Sequence, residues 1–201
     1  MIACHHRARW GIGRPIEQSG VFPLAFEDGP DLGSRLAEWP ANHCVKVLAP
    51  VRTDDQPDVI AYHEAEIVRL ADACRQTGHE LLFEIITGNR DKSAVPSQVL
   101  ALMQRFYDLG VAPDWWKLEP VDDGGFWTGA GDIVRANDPH VQGIIVLGKE
   151  MPDEQLGRVL GVARAEPLVR GFAIGRTIFS EAAQQWFADK IDDQTAQDMM
   201  W

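Results

Sequence analysis

The sequence predicts an α/β chain folded as part of a (β/α)8-type barrel, and three observations carry that expectation. Short apolar runs alternate with amphipathic stretches along nearly the whole chain. The strand centres, at Lys46, Glu84, Lys117, Ile145 and Ala173, follow one another without a linker, a charge block or a low-complexity break. Charged residues sit in the middle of strands that a fully covered sheet would keep apolar. Strands alternating with helices of this length imply right-handed βαβ units and a parallel sheet.

The elements follow in order. A weak first strand lies within 10–17, shortened by Pro15. Residues 23–40 have proline at both ends and Gly29-Pro30 inside, which predicts a structured loop with one helical turn. The clear strands are 44–48 (CVKVL), 81–87 (LLFEIIT), 115–119 (WWKLE), 143–147 (GIIVL) and 171–174 (GFAI). Helical patterns run over 59–76, 95–109, 126–136, 153–165 and 180–188, with another helix starting near Asp192. Gly78, Gly110 and Pro167 stop the first, second and fourth of these. Pro152-Asp153-Glu154 and Ser180-Glu181 read as helix starts with acidic first turns. One domain is expected over 10–201, preceded by a disordered or non-native segment at 1–9.

Composition narrows the function. Of 201 residues 45 % are hydrophobic and 24 % charged, which excludes wholesale disorder. Nineteen Lys and Arg against thirty Asp and Glu give a net charge of −11, arguing against nucleic-acid and anionic-membrane partners, which need a positive footprint. No apolar run approaches the ~18 residues of a membrane span, and the start MIACHHRARW is not a secretory signal. Three cysteines without paired spacing argue against a disulfide framework and a zinc site. The expectation is a cytoplasmic protein with no metal and no cofactor.

Period-two alternation places Leu82, Glu84 and Ile86 on one strand face, and Trp115, Lys117 and Glu119 on the equivalent face of the next strand. The opposite faces are apolar and suit a helix layer. A doubly wound sheet has nowhere to put the charges, whereas a barrel interior holds polar groups toward one mouth. Adjacent strands lie ~4.8 Å apart, so Lys46, Glu84, Lys117 and Glu119 are expected to converge. Such a cluster suits a neutral salt-bridge network that fixes register, but buried networks are often replaceable by apolar residues without loss. Chemistry accounts better for four charges in one interior.

Two lysines beside a carboxylate are the equipment of a Schiff-base enzyme acting on a ketone or aldehyde. An amine is nucleophilic when neutral, a form that a neighbouring cation and desolvation favour, and a carboxylate can carry the protons of carbinolamine formation and collapse. The spacing does not say which lysine attacks. Gly148 and Gly175-Arg176 end the last two strands, where glycine N–H groups, a helix start and an arginine would suit a phosphate; an exposed salt-bridging arginine accounts for the Gly-Arg equally well.

The runs WGIGRPIE, DLGSRL, HCVKVL, HELLFEII, APDWWKLEP and LVRGFAIGRTIF resemble the aldolase-like C-terminal domain of bifunctional 5-dehydro-2-deoxygluconokinases, which belongs with the tagatose-bisphosphate-type class I aldolases. The resemblance covers nearly the whole chain from Trp10. It implies a barrel fold and a carbon–carbon lyase of inositol catabolism. That enzyme cleaves 5-dehydro-2-deoxy-gluconate 6-phosphate to dihydroxyacetone phosphate and malonate semialdehyde. By motif, the Schiff-base lysine falls on Lys117, the acid/base glutamate on Glu84, the second active-site lysine on Lys46, and the phosphate site on Gly175 and Arg176 with Gly148. Arg14 and Glu17, in the GRP-x-E that the family keeps, are candidates to reach substrate or a pair that anchors a loop. Glu119 would orient Lys117, act as a second acid or base, or serve as a counter-ion.

The family's barrel opens with two strands that have no counterpart here, so the expectation is a barrel truncated to about six βα units. Its edges would lie near 13–16 and 172–174, open to another chain or a homo-oligomer, and a kinase domain would belong to the full-length protein. The alternatives are a phosphosugar-binding or regulatory barrel and an inactive barrel fragment.

Overall fold

The computed structural model describes residues 12–27, 29, 31–52, 54–88, 91, 93–149 and 151–200, the side chains of Arg176 and Thr177 excepted. The segment 1–9 expected to be disordered lies outside the described residues. Six strands are present among them, β1 (Ile12–Pro15), β2 (His43–Pro50), β3 (Leu81–Ile86), β4 (Trp115–Leu118), β5 (Gly143–Leu147) and β6 (Val169–Ala173). Between and after them run α1 (Leu32–Ala37), α2 (Pro57–Thr77), α3 (Val95–Asp108), α4 (Gly124–Asn137), α5 (Asp153–Ala163), α6 (Arg176–Phe187) and α7 (Asp193–Asp198).

The strands form one sheet in the order β1-β2-β3-β4-β5-β6, every neighbouring pair parallel. A doubly wound sheet reverses its order at a switch point; this one does not, and curls as six βα units of a (β/α)8-type barrel. β1 and β6 are the two ends of the sheet, as the edge expectation placed them. Phe172 on β6 is exposed in keeping with that end position.

Alternation does the sorting. Val45, Val47 and Ala49 on β2, Leu81, Phe83 and Ile85 on β3, Trp116 and Leu118 on β4, and Ile144 and Val146 on β5 are all buried in one apolar core. Ile67 and Leu70 of α2, Val99, Met103 and Phe106 of α3, Trp127 and Val134 of α4, and Val159 of α5 complete that core. Each fully buried side chain of this size contributes about 1.5–3 kcal/mol. The opposite face of the same strands is left to Lys46, Leu48, Glu84, Ile86, Lys117 and Leu147, which with Ala173 of β6 line a cavity.

The helix punctuation is local. Asp31 caps α1 by accepting the Ser34 N–H at 3.2 Å, and Asp123 caps α4 by accepting the Gly125 N–H at 2.8 Å. Gly78 closes α2 with a φ of 73°, the left-handed position that favours glycine. The structured loop expected over 23–40 contains α1. α6 starts a turn before the expected Ser180-Glu181, because the Gly175 carbonyl already accepts the N–H groups of Ile178 (2.8 Å) and Phe179 (3.2 Å). Among the described residues no helix is long and apolar enough to cross a membrane.

Candidate active site

Strand register brings the charges together. Glu84 pairs across the ladder with Lys117 on one side and Leu48 on the other, while Lys46 pairs with Leu82, one inward-facing step back along β2. The long lysine stem covers that step. One carboxylate therefore serves two ammoniums: Glu84 Oε1 lies 3.0 Å from Lys117 Nζ, and Glu84 Oε2 lies 3.0 Å from Lys46 Nζ. Glu17 adds a fourth charge, with Oε1 2.5 Å from Lys46 Nζ. It reaches that place because the Ile16 N–H donates to the Lys46 carbonyl at 3.0 Å, carrying the chain of β1 on beside β2.

The four groups form a chain of alternating sign, Glu17–Lys46–Glu84–Lys117, balanced in charge and largely withdrawn from water. The side chains of Lys117 and Lys46 are 15 % and 17 % exposed, and that of Glu84 is 3 % exposed. Burying such charges costs several kcal/mol per ion, offset only when partners are this close. The cavity beside them measures about 500 Å3 and is also lined by Ile174 and Gly175, just before α6, and by Phe179 in its first turn. It lies toward the C-terminal ends of the strands, the mouth at which barrels of this kind carry out chemistry.

The remaining expected residues are placed differently. Glu119 lies just past β4 and does not join the cluster: its buried carboxylate accepts the Thr87 hydroxyl at 2.8 Å and the Thr87 N–H at 3.4 Å, and pairs with Lys149. The strand has ended by this point, so period two no longer dictates direction. Arg14 is not brought to the cavity; it holds its guanidinium over the Trp39 ring at 3.9 Å. Gly148 does not offer its N–H to an anion, because it donates to the Ala173 carbonyl at 3.0 Å. A Cβ there would stand 3.0 Å from Ile174 Cγ1, so the glycine serves close approach of β5 and β6. Gly175 lines the cavity as the N-cap of α6. The side chain of Arg176 lies outside the described residues. Lys149 was not anticipated, although it follows Gly148 as Arg176 follows Gly175, and that parallel was its signal.

The loop that carries Glu17 is held from α2. Glu17 bridges to Phe26 in antiparallel fashion. The Leu24 N–H donates to His63 Nε2 at 3.0 Å, and the Tyr62 hydroxyl donates to the Leu24 carbonyl at 3.0 Å. Burial pushes the His63 imidazole below its ordinary value of 6.5, with Asp55 partly opposing. The sign follows: near and below 6.5 the unfolded chain takes up a proton that the folded imidazole refuses. Stability is therefore full above that pH, falls as pH drops below it, and levels off once pH passes the lowered folded value. Urea midpoints taken at about pH 7.5 and about pH 5.5 are expected to separate for the parent protein. His63→Gln, which keeps an acceptor but does not titrate, is expected to show less of that separation.

Among the described residues no group of three His, Cys, Asp or Glu is arranged to hold a metal ion. No curated protein matches the chain. Among solved structures, one titled as the mechanism of the Schiff base forming fructose-1,6-bisphosphate aldolase is similar with a TM-score of 0.60 and 13 % identity; the match covers 83 % of this chain and 64 % of that one. That similarity establishes the barrel-type fold, and this chain spans a little under two thirds of the aldolase's length. A family model described as "Uncharacterized protein conserved in bacteria (DUF2090)" matches residues 3–201, nearly every position of the sequence. The chain belongs to that bacterial family, DUF2090.

Proposed function

We propose that this protein is a Schiff-base, class I-type aldolase acting on a phosphorylated keto-acid, 5-dehydro-2-deoxy-gluconate 6-phosphate. One observation carries the reading: a single buried carboxylate, Glu84, stands 3.0 Å from each of two lysine ammoniums at the wall of a roughly 500 Å3 cavity. A register-fixing network has no use for open space beside it, and a carbonyl substrate does.

In this reading Lys117, as the neutral amine, adds to the C5 ketone. The carbinolamine loses water to give an iminium, with Glu84 carrying the protons. Glu84 then takes the proton of the C3 hydroxyl, the C3–C4 bond breaks, and its electron pair moves into the iminium to leave an enamine. Malonate semialdehyde departs. The enamine takes a proton at C4 from Glu84, and water releases dihydroxyacetone phosphate and regenerates the amine. Lys46, held by Glu17 on its far side, keeps Glu84 in place and offers its remaining N–H donors to substrate oxygens. The phosphate would lie against Gly175 and the N-terminal end of α6, with Arg176 as its counter-ion.

The test is borohydride reduction in the presence of dihydroxyacetone phosphate, followed by peptide mapping. A stable adduct on Lys117 is expected, and none with Lys117→Ala. An adduct that persists in that variant, or maps to another lysine, would remove Lys117 from its role. No adduct with the parent protein would favour a barrel that binds phosphosugars without cleaving them.

A further inference from the structure

The cavity carries a third lysine for which the mechanism above has no task. Lys149, after β5, lines the cavity together with Lys46, Glu84 and Lys117. It also lines a second cavity of about 380 Å3 beyond the ends of β4 and β5, whose wall includes Glu119, Val121, Asp122 and Met151. Lys149 therefore borders both spaces. The backbone φ of Lys149 is 52°, a left-handed conformation uncommon for a residue with a Cβ and concentrated where function demands it.

The pair it makes is unequal. The Glu119 side chain is 2 % exposed and that of Lys149 is 47 % exposed. Thr87 fixes the carboxylate through its hydroxyl and its N–H, and the carboxylate in turn fixes the ammonium. Glu119 engages one of the three N–H donors that an ammonium carries. A sealed, doubly anchored carboxylate holding a half-open ammonium at a cavity wall is an arrangement suited to presenting positive charge to an anionic ligand.

The keto-acid has two anionic ends. In the reading above the phosphate lies at Gly175 and α6, which leaves the carboxylate, on the half that departs, without a partner. We propose that Lys149 binds this substrate carboxylate and thereby sets a preference for keto-acids over ketose phosphates that lack one, with Glu119 and Thr87 as positioning residues. The inference rests on the Schiff-base reading.

The experiment measures the ligand concentration that gives half-maximal borohydride-trapped adduct on Lys117, for 5-dehydro-2-deoxy-gluconate 6-phosphate and for dihydroxyacetone phosphate. Lys149→Met is expected to raise it roughly tenfold or more for the keto-acid, the scale of one lost charge-assisted contact. The value for dihydroxyacetone phosphate is expected to stay within about twofold, and Lys149→Arg to recover most of the loss, since a guanidinium also binds carboxylate. Equal shifts for both ligands would mean a phosphate contact or a structural role, and no shift would mean no contact; either overturns the proposal while leaving Lys117 in place. Absence of any adduct with the parent protein would overturn the Schiff-base reading and this inference with it.

Discussion

Glu84→Ala is expected to lose about 3 kcal/mol of stability, since removing one partner of a buried ion pair leaves charge uncompensated in the interior. It is also expected to slow the proposed keto-acid cleavage roughly 10³-fold, the scale of a positioned proton carrier. Two ammoniums depend on this one carboxylate at 3.0 Å each. Lys46 retains Glu17 after the change, but Lys117 has no other ion-pair partner among the described residues. Glu84→Gln separates the two effects. It keeps the shape and one acceptor oxygen, yet its amide N–H2 faces an ammonium, donor against donor, and it carries no proton between steps. Urea denaturation measures the first effect, and single-turnover cleavage with borohydride trapping the second. Parent-like stability and parent-like cleavage in Glu84→Ala would reduce the cluster to a surface-type pair and remove the basis of the mechanism.

Trp116→Ala is expected to cost about 4 kcal/mol, within the range for truncating a buried aromatic. Trp116 is fully buried on the helix side of β4. Its ring stacks on Phe83 with centroids 5.3 Å apart and an interplanar angle of 29°, and meets Tyr107 edge-on at 5.4 Å. The indole N–H donates to the Tyr107 hydroxyl at 2.7 Å, a phenol that burial pushes up to about 12. The alanine variant leaves both a cavity and a hydroxyl without its donor. Trp116→Phe refills most of the space and is expected to lose about 1–2 kcal/mol, chiefly the hydrogen bond. Against a total stability of 5–15 kcal/mol for a typical domain, the first change brings the chain near its unfolding threshold. Urea titrations of the two variants decide it: a parent-like Trp116→Phe would mean that the indole N–H contributes nothing beyond packing, and equal losses would mean that the ring's volume contributes nothing beyond the hydrogen bond.

Within the strands, the sequence by itself determined most of what matters. Backbone alternation has period two regardless of context, so CVKVL, LLFEII and WWKL sort into a helix face and an inner face on sequence alone. The wholly apolar helix face left the inner face as the place for Lys46, Glu84 and Lys117, and a parallel ladder brings such positions on neighbouring strands within side-chain reach. The barrel expectation rested on those same inner-face charges, which a doubly wound sheet, covered by helices on both faces, has nowhere to put.

What only the tertiary structure decided lies past the strand ends. Glu119 shares its parity with Lys117, but β4 stops at Leu118 and the carboxylate goes to Thr87 and Lys149 instead. Glu17 enters the cluster through the path of the loop after β1, and Gly148 is spent on a close approach to Ile174. The physical reason is range: periodicity acts between adjacent residues and survives as long as the ladder does. Beyond the ladder a side chain's direction is set by contacts with segments tens of residues away, and these exist only once the chain has folded.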